Sequence, residues 1–206
     1  MIFCIGLSKT ATTAVSHALC YLGYNVKHYP LDCFYQKNGM VHLRPEQVAK
    51  YDGISDTVAA RFFKKLDAKF PGSYFIYTTR ELDSWLKSCE KTFWYGQLFK
   101  QRDKANQLHY ELYGAIDYDS KQFIQGYKKH HKAVNSYFKG RNDLLVMDVT
   151  KGEGWDVLCP FLGVDKPDVP FPKADCFWAG FFKKVPVQRL RDLWPFYLRR
   201  IPSWST

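Results

Sequence analysis

The sequence predicts an α/β domain whose central sheet is mostly parallel, and three observations support this prediction. Short apolar runs that end at glycine or polar residues recur along the chain, and continuous apolar runs are typical of parallel strands buried on both faces. Helical patterns alternate with these runs, as in repeated strand–helix units. The 206 residues contain no repeat or linker and suffice for one continuous core, which predicts a single domain over residues 1–206.

The first fifty residues predict strand, loop, helix and strand. Ile2 to Ile5 is a continuous apolar run that stops at Gly6, which indicates a buried strand. Between residues 12 and 22 the apolar residues recur at helical spacing, and Gly23 fits the end of that helix. Residues 24–28 then predict the second strand.

The middle of the chain continues the alternation. Residues 53–56 predict a short strand, and Asp56 or Thr57 can cap the helix that follows, up to the Pro71-Gly72 break. Residues 74–79 are rich in aromatic and β-branched types, which predicts a strand with Arg80 at its exit. A helix is expected from about Leu82 to Thr92.

The remaining elements follow from the same rules. Residues 93–140 contain no good strand pattern and predict two helices with a break near 114–119. Residues 144–147 form another buried strand pattern, and residues 155–162 a short helix closed by Gly163. A last helix is expected at 186–197.

Composition narrows the range of partners and compartments. The formal net charge of +10 implies an anionic partner, but leaves nucleic acid, membrane surface, nucleotide and sulfated sugar open. The six cysteines show no Cys-x-x-Cys pattern, and no signal peptide precedes the first strand, which predicts reduced thiols and a cytoplasmic location. No apolar run approaches the ~20 residues that span a bilayer.

The loop after the first strand is the most informative segment. A buried strand enters a turn that begins with glycine, and a helix leaves it, so backbone N–H groups and the helix dipole converge on one point where a phosphate fits. Lys9 adds a full charge, and the hydroxyls of Thr10, Thr12 and Thr13 add donors. The loop departs from the Gly-x-x-x-x-Gly-Lys-Ser/Thr pattern of nucleotide triphosphatases. An ordinary strand–helix turn remains the alternative for the loop alone.

A second feature lies one strand further along the chain. Arg80 follows a strand, and Ser88 lies almost two turns into the next helix, on the same side as Ser84. A guanidinium at a strand end and a serine on the following helix can hold one phosphate together. Taken alone, Arg80 also fits a surface ion pair.

Together the two features resemble the sulfotransferases that use 3′-phosphoadenosine 5′-phosphosulfate. The family's 5′-phosphosulfate loop is approximately Pro-Lys-Ser/Thr-Gly-Thr-Thr, which corresponds to Ser8-Lys9-Thr10-Ala11-Thr12-Thr13, and its 3′-phosphate site corresponds to Arg80 and Ser88. The stretch from Met147 to Gly163 is also similar to the small-sulfotransferase branch. The resemblance covers most of residues 1–165 and implies a P-loop-NTPase-like sulfotransferase fold. It implies this donor, adenosine 3′,5′-bisphosphate as product, and no metal.

The resemblance also implies roles for individual residues. Lys9 would neutralise the charge that builds on the leaving oxygen, and the loop N–H groups would hold the 5′-phosphate. A hydroxyl acceptor needs a base. Asp56 is the favoured base, with His28 as a helper, although helix capping by Asp56 and simple packing of His28 are the alternatives. Trp155 is a candidate for the adenine slot, with core packing as its alternative.

Two departures from the family pattern stand out. Ala11 replaces the usual loop glycine, and its Cβ would strain a backbone that needs positive φ, which could weaken donor binding. No clear copy of the family's C-terminal Arg-Lys-Gly donor loop is present, and the arginines of residues 189–200 are substitutes or a solvated tail. The helical segment 93–140 is expected to cover the acceptor, a small molecule or carbohydrate. Its aromatic residues could line a pocket or pack in the core: Trp94, Tyr95, Phe99, Tyr110 and Tyr113. The basic run 128–132 could attract an acidic acceptor or form a solvated helix face.

Rival interpretations stay open at this point. A nucleotide or small-molecule kinase shares the strand–loop–helix phosphate site but should carry Gly-Lys-Ser/Thr and an acidic residue for Mg²⁺, a role open to Asp56 or Asp148. A module that binds nucleic acid or an acidic polymer is suggested by the charge and by the basic, aromatic stretch 181–200. A sulfotransferase fold that has lost activity is a third alternative, because of Ala11. The sulfotransferase interpretation itself expects no nucleic-acid partner.

Overall fold

The computed structural model describes residues 1–93 and 103–173, without the side chain of residue 103. The chain divides into a unit of Met1–Phe171 and a second unit of Pro172–Thr206, and the description below concerns the first. Its strands are β1 (Ile2–Cys4), β2 (Val26–His28), β3 (Phe34–Lys37), β4 (Met40–Leu43), β5 (Gly53–Ser55), β6 (Tyr74–Thr78) and β7 (Leu144–Met147). Its helices are α1 (Thr12–Tyr21), α2 (Pro45–Val48), α3 (Thr57–Lys69), α4 (Leu82–Phe93), α5 (Asp103–Tyr113), α6 (Ser120–Tyr137) and α7 (Trp155–Leu162).

The central sheet has five strands in the order β2-β5-β1-β6-β7, and every pair in it is parallel. The first strand of the chain is therefore the middle strand, and Ile2 pairs with Gly53 on one side and Tyr74 on the other. Parallel pairing requires crossovers, which the helices between the strands supply. The predicted α/β class with a mostly parallel sheet is confirmed.

Alternate side chains of the sheet enter two separate cores. Phe3 and Phe75 pack on one face with α3 to α6, and Ile2 and Ile76 pack on the other face with α1 and α7. A strand whose residues are apolar in unbroken succession can supply both cores at once, which is why the opening run carries no polar residue. The result is a three-layer arrangement of helix, sheet and helix.

A two-stranded hairpin of β3 and β4 was not predicted from the sequence. Its turn is Asn38-Gly39, and both residues have positive φ, 51° and 71°. Asn-Gly is the preferred pair for a two-residue hairpin turn of this kind. The hairpin is held to α5, because the Val41 N–H donates to Glu111 Oε1 at 2.8 Å.

The other predicted elements agree with the structure to within two residues at most ends. The break expected near 114–119 separates α5 from α6, and no strand interrupts residues 103–140. The last predicted helix, the basic stretch 181–200 and Cys176 lie outside the described residues. Cys4, Cys33, Cys89 and Cys159 are free thiols. Within residues 1–93 and 103–173, no helix is long and apolar enough to cross a membrane.

Candidate active site

The carboxyl ends of four neighbouring strands bring most of the predicted site together. The loop 6–11 follows β1, His28 ends β2, Asp56 follows β5, and Arg80 stands two residues after β6. Parallel strands end at the same edge of a sheet, so residues far apart in sequence converge there. No group of three or more His, Cys, Asp or Glu side chains that could hold a metal ion occurs in the described part of the chain.

The loop between β1 and α1 has an unusual backbone. Lys9 and Ala11 both have positive φ, 72° and 69°, and Ala11 is in the left-handed helical region with ψ 24°. The Thr10 hydroxyl donates to the Leu7 carbonyl at 2.7 Å and lies 2.7 Å from Thr78 Oγ1. The loop therefore has the positive φ at Ala11 that would suit the family's usual glycine, and alanine adopts it.

Gly6 lets the loop pass close to β6. A Cβ placed on Gly6 would lie 1.8 Å from Thr78 Oγ1 and 2.7 Å from the Thr78 carbonyl oxygen. No other residue type fits at this close approach of two backbones.

Side chains from three helices hold the loop from outside. The Trp85 indole donates to the Ser8 carbonyl at 2.8 Å, and the Tyr113 hydroxyl accepts from the Ser8 N–H at 3.2 Å. His130 Nε2 donates to the Ile5 carbonyl at 2.8 Å. Sequence reasoning missed these three contacts with the loop, and nothing local in the sequence marks them, because the partners lie 77 to 125 residues apart.

Asp56 is the most heavily engaged carboxylate of the site. Its Oδ1 accepts hydrogen bonds from Ser8 Oγ and from the Thr57 N–H, both at 2.6 Å. Its Oδ2 accepts a hydrogen bond from Thr12 Oγ1 at 2.7 Å. Burial raises its pKa, but the charge of His28 and these hydrogen bonds outweigh burial, and the pKa of Asp56 is lowered overall. Asp56 therefore stays ionised and caps α3, as the alternative interpretation expected.

The backbone at Asp56 is strained. Its φ of 72° and ψ of −159° lie in a region that glycine alone adopts readily. Strain of this kind persists only where the surroundings fix the conformation, and here the three hydrogen bonds to the carboxylate fix it. The carboxylate is thereby directed at Ser8 and Thr12, on both sides of the turn.

His28 lies between Asp56 and a group of hydroxyls. Its Nε2 is 3.1 Å from Thr13 Oγ1 and 3.6 Å from Asp56 Oδ2, and its Nδ1 is 3.0 Å from Ser55 Oγ. Because β2 and β5 are paired so that His28 faces Ser55 in register, the contact follows from the sheet itself. The structure thus brings the two predicted base candidates together.

Arg80 connects the loop with α4. Its Nη1 donates to the Lys9 carbonyl at 3.2 Å, and its Nε donates to Ser84 Oγ at 3.0 Å. Ser88 is half-buried one turn further along the same helix. The predicted guanidinium and the loop are therefore in direct contact, with Ser84 as the serine partner of Arg80.

Trp155 lies elsewhere in the fold. It is 3% exposed, belongs to the core between the sheet, α1 and α7, and donates from Nε1 to the Val169 carbonyl at 2.8 Å. Its ring packs on Tyr21 and Phe171. These contacts include no residue of the loop, and its role in an adenine slot stays a prediction.

The helical segment expected to cover an acceptor is only partly described. Tyr110 on α5 is 55% exposed, whereas Tyr113 is buried against the loop. The basic run 128–132 on α6 is exposed except for His130, which turns inward. Trp94, Tyr95 and Phe99 lie outside the described residues.

Comparisons with known proteins agree with this architecture. A family model described as "Sulfotransferase domain" matches residues 1–176. The "Ava biosynthesis cluster protein M" of Aspergillus versicolor is 24% identical over a 149-residue alignment that covers 62% of this chain and 55% of that protein, so the match spans about half of the relative. A sulfotransferase from Alicyclobacillus acidocaldarius has a similar fold, with a TM-score of 0.55 and 12% identity over 96% of this chain and 91% of that one.

Proposed function

Because the chain belongs to the sulfotransferase domain family, we propose that it transfers a sulfuryl group from 3′-phosphoadenosine 5′-phosphosulfate to a hydroxyl or amine acceptor. The observation that carries this proposal is the loop 6–11, bound through Lys9 to Arg80 and through Ser8 to Asp56. One set of hydrogen bonds thus joins the predicted 5′-phosphosulfate loop, the predicted 3′-phosphate residue and a candidate base.

The start of α1 supports binding of the 5′-phosphate. The residue before the helix, Ala11, provides no side-chain cap, and the first turn contains no acidic residue. The first N–H groups of a helix need acceptors, and together with the helix dipole they favour an anion. An oxyanion of the donor would satisfy groups that a capping serine or aspartate satisfies in other helices.

Lys9 supplies the charge that the reaction needs. In sulfuryl transfer the S–O bond to the bridging oxygen breaks, and negative charge builds on that oxygen. A lysine ammonium next to it stabilises the transition state more than the bound donor, and such a difference accelerates the reaction. The positive φ of Lys9 sets the direction in which its side chain leaves the loop.

The proton of a hydroxyl acceptor goes, in our proposal, to the pair formed by His28 and Asp56. The sequence favoured Asp56 as the base, but its lowered pKa makes it a weak proton acceptor. Its fixed negative charge, 3.6 Å from His28 Nε2, instead stabilises an imidazolium on His28. We therefore assign the proton to His28 and the compensating charge to Asp56.

Thermal unfolding with adenosine 3′,5′-bisphosphate tests donor binding. We expect the nucleotide to raise the Tm of the protein in the presence of EDTA. Lys9→Ala or Arg80→Ala should weaken or remove that rise. The control variant Lys132→Ala, which changes an exposed residue of α6, should keep it. No rise for the unmodified protein at millimolar nucleotide would contradict the proposal. Binding that required Mg²⁺ would favour the kinase alternative, and steep salt dependence with heparin but no nucleotide effect would favour the polymer-binding alternative.

Transfer itself is tested with donor carrying a labelled sulfuryl group and a panel of alcohols, phenols, amines and sugars. We expect label to move to at least one acceptor class, and Lys9→Ala to reduce kcat by about 100-fold or more, the usual scale for loss of one transition-state charge contact. Equal transfer by the wild type and Lys9→Ala would refute the role of the loop.

A further inference from the structure

A chain of buried hydroxyls runs behind His28. Ser16 on α1 is 2% exposed and Ser55 on β5 is fully buried. Ser16 Oγ is 2.8 Å from the Thr12 carbonyl oxygen and 2.6 Å from Ser55 Oγ, and Ser55 Oγ is 3.0 Å from His28 Nδ1. The chain thus connects the first turn of α1 to the imidazole.

The direction of each hydrogen bond in this chain follows from the chemistry of its ends. A carbonyl oxygen can only accept, so Ser16 donates its single hydroxyl proton to Thr12. Ser16 must then accept from Ser55, which uses the single proton of Ser55. Ser55 can therefore only accept from His28, and Nδ1 must carry a hydrogen.

We propose that Ser55 and Ser16 are positioning residues that hold His28 in the tautomer with its proton on Nδ1. In a neutral ring this leaves the lone pair on Nε2, the nitrogen that lies 3.1 Å from Thr13 Oγ1 and 3.6 Å from Asp56 Oδ2. This inference rests on the proposed function for its catalytic meaning, but the tautomer itself is a property of the folded chain.

The chain suits a base that gains and loses one proton per turnover. During transfer to an alcohol, the new O–S bond forms, the S–O bond to the donor phosphate breaks, and the O–H bond of the acceptor breaks, with its proton going to Nε2. The imidazolium keeps Nδ1–H on Ser55, and the Asp56 carboxylate oxygen, 3.6 Å from Nε2, compensates the new positive charge. No hydroxyl in the chain has to rotate, because the hydrogen on Nδ1 never changes place.

Nitrogen NMR of the full chain, labelled at histidine, tests the tautomer without any substrate. The His28 signals are assigned by their loss in His28→Gln. In the wild type at alkaline pH, we expect Nε2 to resonate as an unprotonated and Nδ1 as a protonated ring nitrogen. Ser16→Ala frees the Ser55 hydroxyl to donate to Nδ1, so the opposite tautomer should gain population. A wild-type proton on Nε2, or an unchanged tautomer in Ser16→Ala, would overturn the proposal.

The variants are chosen so that folding does not decide the outcome. Alanine is the best helix former and Ser16 lies inside α1, so Ser16→Ala should fold. Ser73→Ala is the matched control, because Ser73 is 2% exposed and donates to the Phe70 carbonyl, away from the site. It should leave the His28 signals unchanged. If Ser73→Ala shifted these signals as much as Ser16→Ala does, the hydrogen bonds from Ser16 and Ser55 could not be the cause, and the proposal would be overturned.

Kinetics then test the catalytic meaning. We expect Ser55→Ala to lower kcat about tenfold, part of the 100-fold or more that a positioned base contributes, with the KM for the donor unchanged. The Tm rise with adenosine 3′,5′-bisphosphate should persist. Absence of any transfer by the wild type would defeat the proposed function while the NMR result stood. An unchanged kcat in a variant with a shifted tautomer would defeat the positioning role alone.

Discussion

Three buried histidines should make the protein sensitive to mild acid. His17, His109 and His130 are 2%, 3% and 6% exposed. Burial lowers the pKa of His17 from 6.5 to about 3, and those of His109 and His130 from 6.5 to about 4. Between pH 6.5 and about 4 the unfolded chain therefore binds a proton at each of these rings and the folded chain does not. Stability must fall as the pH drops through this window.

The size of the effect follows from the same values. At pH 5, 1.5 units below the ordinary value, each ring contributes about 1.36 × 1.5, or roughly 2 kcal/mol. Three rings give about 4 to 6 kcal/mol, against a total stability of about 5 to 15 kcal/mol for an ordinary domain. The carboxylates Asp56, Asp67 and Asp143 have lowered pKa values and remain ionised in the folded and the unfolded chain above about pH 5. The loss of stability between pH 6.5 and about 5 is therefore attributed to the histidines.

Urea unfolding at several pH values measures this directly. The slope of the unfolding free energy against pH gives the number of protons taken up on unfolding. Near pH 5 this number should approach three in the wild type. It should fall toward two in His130→Gln, which keeps a donor for the Ile5 carbonyl. Leu158→Ala, in the other core, should cost about 2 to 5 kcal/mol without changing the slope. A flat profile between pH 7 and 5, or the wild-type slope in His130→Gln, would refute the reasoning.

Further predictions concern the loop. Ala11→Gly should relieve the left-handed strain and raise the Tm by about 2 °C in calorimetry, and an unchanged or lower Tm would speak against strain there. Gly6→Ala should lower the free energy of unfolding in urea by about 3 kcal/mol, because the new Cβ would collide with Thr78. It should also abolish the Tm rise with the nucleotide. Wild-type stability and binding in this variant would show that the loop can move away from Thr78. Trp85→Phe should cost about 1 to 3 kcal/mol and weaken nucleotide binding measured by calorimetric titration, because the Ser8 carbonyl loses its donor; unaltered affinity would exclude a role in holding the loop.

The strands and helices could be predicted because their signals are local. The strands β1 and β7 are short runs without polar residues, and Gly23 and Gly163 end their helices as expected. The hairpin was missed, although Asn38-Gly39 is a strong local turn signal. Only Phe34 and Val41 of its two strands are buried, so these strands lack the apolar run that marks β1 and β7.

The site was predictable only in part. Lys9, Arg80, Asp56 and His28 could be identified because they stand at the ends of predicted parallel strands, which must share an edge. That Arg80 donates to Ser84 depends on how far a guanidinium reaches along a helix surface, and the 3′-phosphate role of Ser88 stays a prediction. The supporting contacts from α4, α5 and α6 depend on how those helices pack, which no short segment of sequence encodes.

The central place of β1 has a consequence for how the protein is made. Ile2 cannot complete its hydrogen bonds until residues 53 and 74 have left the ribosome, because both neighbours of β1 come later in the chain. At about 5 to 20 residues per second, synthesis of this stretch takes on the order of 4 to 15 s. During that interval the apolar run of β1 has no partner strand and should depend on chaperones to stay unaggregated.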